Sequence, residues 1–216
     1  MSEYVLEDLQ CKGLYIYQTT DGYRFTSDAV ALSNYVSVKN GGVLLDLCSG
    51  SGVIGILANA KNKISHVIMV ELQQSLSDMA KASVEYNKID NITIINDRLQ
   101  GIHNRLNVHV DTIVCNPPYY KANEKAREKS NEIFIARNEV EVTILEIVQE
   151  ASKILKDGGK FYMSIKENRL IDVLMYLREN KLEPKELRVL DGKSNKVVLI
   201  KAIKGGEPGL NIVMAD

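Results

Sequence analysis

The sequence predicts an α/β fold: a Rossmann-like, mostly parallel, seven-stranded sheet with helices on both faces and a C-terminal antiparallel hairpin. Three observations carry this. Short apolar runs of strand length alternate with segments of helical periodicity from Val43 to Asn180. Parallel neighbours need such crossover connections, and the helices then cover both faces of the sheet. A glycine loop, Cys48 to Gly52, separates the first of these strands from the first of these helices. Finally, the runs Leu187 to Leu190 and Val197 to Ile203 are separated only by Asp191 to Lys196. That spacing suits an antiparallel return and not a crossover.

The elements follow in order. Gly13 to Phe25 alternates Tyr15, Tyr17 and Tyr23 with polar residues and reads as two short strands turning at Thr20, Asp21 and Gly22. Thr26, Ser27 or Asp28 can cap a helix whose stripe is Ala29, Val30, Leu32 and Val36, with Gly41 and Gly42 as its end. Val43 to Leu47 is a strand, Val53 to Ala60 a helix, His66 to Glu71 a strand and Gln73 to Asn87 an amphipathic helix. Ile92 to Asn96 and Thr112 to Asn116 are strands, and the least regular interior stretch, Tyr120 to Val140, is expected to be an active-site loop. A helix over Val142 to Leu155, a strand over Lys160 to Ile165 and a helix over Glu167 to Asn180 lead to the terminal hairpin.

With 216 residues, 45% apolar and 25% charged, the chain has the size of a single domain, 1–216, with a full core. The cysteines Cys11, Cys48 and Cys115 are odd in number and widely spaced, which fits a reducing cytoplasm better than a disulfide framework or thiolate site. His66, His103 and His109 lack zinc-like spacing, so no metal is expected. The start, MSEYVLEDLQ, is acidic, and no apolar run approaches the ~20 residues that span a bilayer, so no membrane association is expected. A net charge of −1 argues against a basic coat for nucleic acid, yet Lys160 to Lys204 holds 11 Lys or Arg against 6 Asp or Glu. An anionic partner can meet that region.

Asp46, Gly50 and Gly52 form DxxxGxG at the end of the first central strand, where glycines let a ligand approach bare backbone. Gly50, Gly52 and Gly55 also fit GxGxxG, with Glu71 at about the ~20-residue separation of a dinucleotide site. A nicotinamide dinucleotide and S-adenosylmethionine are therefore both candidates, and the tetrapeptide Asn116, Pro117, Pro118, Tyr119 favours the second. In that reading Glu71 accepts the ribose hydroxyls, Cys48, Gly50 and Gly52 underlie the amino acid portion, and Asp97, flanked by Arg98 and Leu99, bonds the adenine amine.

The tetrapeptide emerges from the carboxyl end of a strand, where ligands of such sheets bind. An amine attached to a planar ring is a poor nucleophile because its lone pair is delocalised, and holding both of its hydrogens changes that geometry. Asn116 offers its side-chain oxygen and Pro117 its carbonyl, both fixed by the prolines before the reaction starts. Tyr119 offers a stacking face, with Pro118 and Tyr120 beside it. A methyl group on a sulfonium needs alignment more than it needs a base.

With these residues in place, the chain resembles the bacterial tRNA (adenine-N6) methyltransferase family that modifies the purine beside the anticodon of a valine tRNA, within the class I S-adenosylmethionine-dependent methyltransferases. The resemblance rests on Gly22 to Ala29, the glycine loop, Val114 to Tyr119, Ala136 and Arg137, Leu155 to Gly159, and the tail from Pro184 to Leu210. It implies that residues 1–40 form a hairpin and helix closing the cofactor site, Phe25 and Thr26 covering the methionine end, while 41–216 form the core. It also implies that Asn116, Pro117 and Tyr119 grip the target adenine. Cys48 stands where a glycine is more frequent, and Asn138 where a histidine commonly follows Ala and Arg. Under this reading the partner is RNA, specifically a tRNA, with Lys121, Lys125, Arg127 and Lys129, and further on Lys193, Lys196, Lys201 and Lys204, on its phosphates, and with Arg137 as a further substrate-binding residue. Methylation of a protein glutamine amide, a DNA adenine or ribosomal RNA remains open on the tetrapeptide alone, as does a nucleotide-binding protein or oxidoreductase on the glycine loop alone.

Overall fold

Apolar runs and helical stripes fold largely where their periodicity places them. The computed structural model describes residues 4–214 apart from 21, 23, 107, 119, 122–137, 140 and 191–195, and of 120, 121, 138 and 139 the backbone alone. The chain opens with β1 (Tyr4–Asp8), β2 (Tyr15–Thr19) and α1 (Ser27–Tyr35). There follow β3 (Val43–Leu47), α2 (Val53–Lys61), β4 (His66–Glu71), α3 (Gln74–Tyr86), β5 (Ile92–Asn96), α4 (Ile102–Leu106) and β6 (Val110–Cys115). The two-residue strands β7 (Tyr120–Lys121) and β8 (Asn138–Glu139) precede α5 (Ile144–Ile154) and β9 (Leu155–Lys166). A 3-10 turn, Glu167–Arg169, leads into α6 (Leu170–Glu179), β10 (Leu182–Leu190), β11 (Val197–Lys204) and β12 (Asn211–Met214).

The main sheet has the order β12-β10-β11-β9-β6-β3-β4-β5. Every strand runs the same way except β11, which is antiparallel to β9 and β10. The α/β class, the mostly parallel sheet and the C-terminal hairpin are therefore as expected, with an eighth strand added at the edge. That strand, β12, pairs with β10 from Glu186↔Asn211 to Val189↔Met214 and leaves all four of its residues exposed, so no buried face patterned it in the sequence.

Successive strand residues feed opposite faces, as the two-residue period of a strand requires. Leu45, Leu47, Ile113, Phe161 and Met163 pack with α5 and α6, while Leu44, Val67, Met69, Val114 and Tyr162 pack with α1 and α2. Helix α5 starts on a capping box: Thr143 Oγ1 accepts from Glu146 N–H at 3.2 Å, and Glu146 Oε2 accepts from Thr143 N–H at 2.7 Å.

Two local expectations change. The N-terminal hairpin does not lie within Gly13 to Phe25: Tyr15–Thr19 pairs with the earlier segment Tyr4–Asp8, in register from Tyr4↔Thr19 to Asp8↔Tyr15. The turn sits at Leu9 to Leu14, where Gln10, Lys12 and Gly13 take positive φ. Side chains of α3 reach β2: Tyr15 N–H donates to Asn87 Oδ1 (2.9 Å), Asn87 Nδ2 to the Tyr15 carbonyl (2.6 Å) and Tyr17 N–H to Ser83 Oγ (2.9 Å). Helix α1 stops at Tyr35, well before Gly41, because Val36 turns extended and Val36 and Val38 are buried beyond it.

At the amino-terminal edge of the sheet one carboxylate joins three segments. The buried Asp111 accepts from Lys39 Nζ (2.7 Å), Lys156 Nζ (2.9 Å) and Val43 N–H (2.9 Å). Burial pushes its pKa up, but the Lys39, Val43 and Lys156 bonds outweigh burial and hold it at about 2. Because the folded pKa lies below the ordinary value, this stabilisation is present above about pH 4 and is lost as pH falls toward 2. Asp111→Asn should lower the unfolding free energy at neutral pH by about 1–3 kcal/mol. Its melting temperature should also fall less steeply than the parent's between pH 4 and 2, as thermal melts in a pH series would show.

Candidate functional site

The chain steps outward from β3 to β4 to β5, then crosses to the other side of β3 to lay down β6. At such a reversal the loops from the carboxyl ends of neighbouring strands diverge and leave a crevice. Here the crevice is walled by the ends of β3, β4, β5 and β6.

The loop after β3 is fixed by two carboxylates. Asp46, fully buried on β3, accepts the Gly55 N–H in the first turn of α2 through Oδ2 at 2.9 Å. Gly52, the N-cap of α2, has φ 88°, and a Cβ there would sit 3.1 Å from Met69 Sδ and 3.2 Å from Ala80 Cβ. Both the left-handed backbone and the close helix-to-strand packing therefore call for glycine. Glu71, at the tip of β4, accepts the Gly50 N–H (2.8 Å) through Oε2 and the Gln73 N–H (2.9 Å) through Oε1. Both oxygens are thus oriented by backbone donors at the mouth of the crevice. Cys48 carries φ 57°, a conformation that favours glycine, the residue more frequent at this position of the resembled family.

Two adjoining cavities occupy the crevice and share Cys48, Gly50 and Asn116 as walls. The larger is lined among others by Glu71, Leu72, Asp97, Leu99, Pro118 and Val142, a mostly apolar chamber with carboxylates at its side. The smaller is lined by Phe25, Ala29, Ser49, Ser51, Val53 and Ile54. The hydroxyls of Ser49 and Ser51 are buried there without a hydrogen-bond partner, the condition in which a polar ligand group is expected. A ligand with a flat apolar part, a diol and a charged polar end fits these walls.

The expected residues fall into three groups. Cys48, Gly50, Glu71, Asp97, Asn116 and Pro118 line the larger cavity, and Phe25 lines the smaller. Phe25 is placed by Gln18, whose Oε1 accepts the Phe25 N–H at 3.0 Å. Asp97 also pairs with Arg105 Nε at 2.7 Å. Thr26, Asp46, Gly52 and Pro117 are in neither wall: Thr26 caps α1, Asp46 and Gly52 shape the loop from beneath, and Pro117 is buried behind Asn116. Tyr119 and Arg137 lie outside the described residues, as do the side chains of Tyr120 and Lys121 and all of Lys125, Arg127, Lys129 and Lys193. The backbone of Tyr120 and Lys121 pairs parallel with Asn138 and Glu139, so the expected loop begins and ends in a short bridge. Sequence reasoning missed Ser49, Ser51 and Val142, and also Ser164, which donates to Asn116 Oδ1 at 2.5 Å.

The expected cationic surface is corrected in part. Because β11 runs against its neighbours, Lys196 lies at the carboxyl edge of the sheet, beside Glu167, whose Oε2 accepts the Lys196 N–H at 2.8 Å. Lys204 lies at the opposite edge, where its ammonium donates to the Leu155 carbonyl at 2.8 Å, and Lys201 is mid-strand beside Glu186. These two do not face the crevice edge. Among the described residues, no helix is long and apolar enough to cross a membrane and no group of three His, Cys, Asp or Glu could hold a metal ion.

The family described as methyltransferase small domain matches residues 26–180. A curated tRNA1(Val) (adenine(37)-N6)-methyltransferase from Shewanella sp. (strain W3-18-1) is 21% identical over 92% of this chain and 81% of its own length. A release factor glutamine methyltransferase from Mycoplasma mycoides subsp. mycoides SC is 26% identical over 46% of this chain, a match that spans 35% of that protein. Among solved structures, a predicted O-methyltransferase from Agrobacterium tumefaciens superposes with a TM-score of 0.64 at 18% identity, covering 86% of this chain and 85% of that one. The fold is thus that of the methyltransferases, and the resemblance read from the sequence is met by the relatives that match.

Burial raises the Asp46 pKa to about 8, the Gly55 N–H pulling it down and the Glu71 charge adding to the rise. A folded pKa above the ordinary value means that its contribution to stability is greatest below about pH 4 and is lost as pH rises through about 8. Asp46→Asn keeps the acceptor for Gly55 and removes the titration. Denaturant melts between pH 5 and 9 should therefore show a flatter stability profile for the variant than for the parent, and a parallel profile would assign the titration to another group.

Proposed function

The chain belongs to the methyltransferase small-domain family, and we propose that it transfers the methyl group of S-adenosylmethionine to the N6 amine of an adenine beside the anticodon of a tRNA. The observation that carries this is Asn116, which follows β6, stands in the walls of both cavities and precedes two buried prolines. Among the described residues it is the one side-chain amide common to the chamber that suits an adenosine and the one that suits an amino acid end. The name of the Shewanella relative and its coverage of most of both chains support adenine in tRNA as the acceptor.

S-adenosylmethionine, when bound, supplies a methyl group already activated on a sulfonium. The residues of this chain hold and align. Glu71 accepts from the ribose hydroxyls, Asp97 from the adenine amine, and Leu72, Leu99 and Val142 enclose the ring. Ser49 and Ser51 bond the amino acid end, and Phe25 shields it from water. Asn116 Oδ1 and the Pro117 carbonyl accept the two hydrogens of the target amine. With both hydrogens held, the nitrogen lone pair would point at the methyl group of a bound donor; as the N–C bond formed the S–C bond would break, S-adenosylhomocysteine would leave with the electron pair, and the surplus proton on nitrogen would pass to water. Pro118 borders the target base, substrate-binding roles are assigned to Tyr119, Tyr120, Lys121 and Arg137, and Lys196 meets phosphate at the rim. The reaction takes place in the cytoplasm.

A planar glutamine amide offers the same two hydrogens, and the Mycoplasma relative carries that name over a shorter match. Labelled methyl donor incubated with total tRNA, ribosomal RNA, DNA and protein from a strain lacking the gene separates the two. Label in tRNA is expected, and label confined to protein would replace the substrate while keeping the chemistry. Isothermal titration should show S-adenosylmethionine binding without NAD binding, the reverse being fatal to the donor assignment. Asn116→Ala should retain donor affinity and lose about 10²–10³ in turnover, the scale seen when a positioned hydrogen-bonding group is removed from a reacting centre.

A further inference from the structure

We propose that Gln18 is a positioning residue for the methyl donor, its buried amide fastening Phe25 to the N-terminal hairpin so that the ring stands over the donor's amino acid end. The proposal rests on the reading of the smaller cavity as the place of that end. Phe25 lines that cavity beside Ala29, Ser49 and Ser51, yet it lies between β2 and α1, outside both elements. Its N–H donates to Gln18 Oε1 at 3.0 Å. Gln18 is 1% exposed on β2, and its Nε2 donates to Glu7 Oε2 across the hairpin on β1. The other oxygen of the same carboxylate, Glu7 Oε1, accepts from Arg24 Nη2, so residues 24 and 25 are both tied back to the hairpin. The hairpin is itself fixed, because Asn87 and Ser83 of α3 hold the backbone of Tyr15 and Tyr17.

The Gln18 amide can stand only one way round. A backbone N–H only donates and an ionised carboxylate only accepts, so Oε1 has to face Phe25 and Nε2 has to face Glu7. Reversed, each end would meet a group of its own kind, and a buried amide has no solvent to turn to. Glu7 thus orients Gln18, and Gln18 places Phe25 before the donor arrives. A wall arranged in advance adds to affinity because binding does not have to order it. Gln18 is in the wall of neither cavity, so its effect on the donor passes through Phe25. The ring encloses the donor and takes no part in bond making, so loosening it raises the donor KM and spares kcat once donor saturates.

Isothermal titration with S-adenosylmethionine, well below each melting temperature, tests this together with steady-state rates on whichever RNA or protein pool the parent labels. Gln18→Met keeps the length of the side chain and removes both bonds. Donor Kd and donor KM should rise about tenfold, the scale of one lost hydrogen bond, with kcat and acceptor KM unchanged. Gln18→Glu keeps the acceptor for Phe25 but sets a carboxylate against Glu7, and should weaken the donor to a similar degree. Adding Glu7→Gln to it turns that bond round, the amide at position 7 now donating to the carboxylate at position 18, and should restore most of the donor affinity. On Phe25→Ala, which itself weakens the donor, Gln18→Met should add less than about twofold, because the group it places is gone. Parent-like donor affinity in Gln18→Met, no recovery in the paired substitution, or a full further loss on Phe25→Ala overturns the role. Where the charged variants do not fold, Gln18→Met and Phe25→Ala decide it between them. If the parent itself does not bind S-adenosylmethionine, the donor reading fails and this role with it, a result separate from the others.

Discussion

The crevice depends on a carboxylate that never meets it. Asp46 lies under the glycine loop, fully buried, and its bond to the Gly55 N–H fixes the start of α2 against β3. With α2 held there, the left-handed turn at Gly52 packs on Met69 and Ala80, and the Gly50 N–H is presented to Glu71. The second carboxylate can then stand at the tip of β4 with both oxygens oriented by backbone. The first and last of these steps are backbone donors meeting side-chain acceptors, the middle one is close packing, and the cavities are the space that they leave open.

The sheet separates firmness from chemistry along its length. At its amino-terminal edge Asp111 gathers Lys39, Lys156 and the start of β3, and in the neighbouring strands Lys204 reaches back to the Leu155 carbonyl. At its carboxyl edge the polar groups are instead gathered around the two cavities: the Ser49 and Ser51 hydroxyls, the Glu71 carboxylate and the Asn116 amide. The two buried aspartates shift in opposite directions for the same reason of supply. Asp111 has two ammonium groups beside it, whereas Asp46 has one N–H and a like charge nearby.

Much of this was legible because the central strands are buried on both faces. Val43–Leu47 and His66–Glu71 read as largely apolar runs bounded by turns, and their limits match those expected, as do those of the half-buried edge strand Ile92–Asn96. The glycine loop and the Asn116 tetrapeptide were legible because backbone geometry restricts residue type there. The pairing of β2 with Tyr4–Asp8 was not, since hairpin partners depend on which edge is free, and that edge is settled by Asn87 and Ser83 on a distant helix. Ser164 left no trace for a similar reason: a serine in an apolar strand carries no periodic signal, and its bond to Asn116 arises only from the register of β9 with β6. Lys201 and Lys204 counted as positive charge in the sequence, but strand direction turns them away from the crevice.

The short bridge between Tyr120–Lys121 and Asn138–Glu139 runs parallel, not antiparallel. A tight turn cannot join parallel neighbours; the chain must travel back over the length of the pair before it re-enters, which takes a dozen or more residues. The excursion over 122–137 therefore has a minimum length imposed by topology and no comparable maximum. Its two ends are fastened next to each other, one just past Pro118 and the other just before Val142, so added or exchanged residues need not disturb either cavity wall.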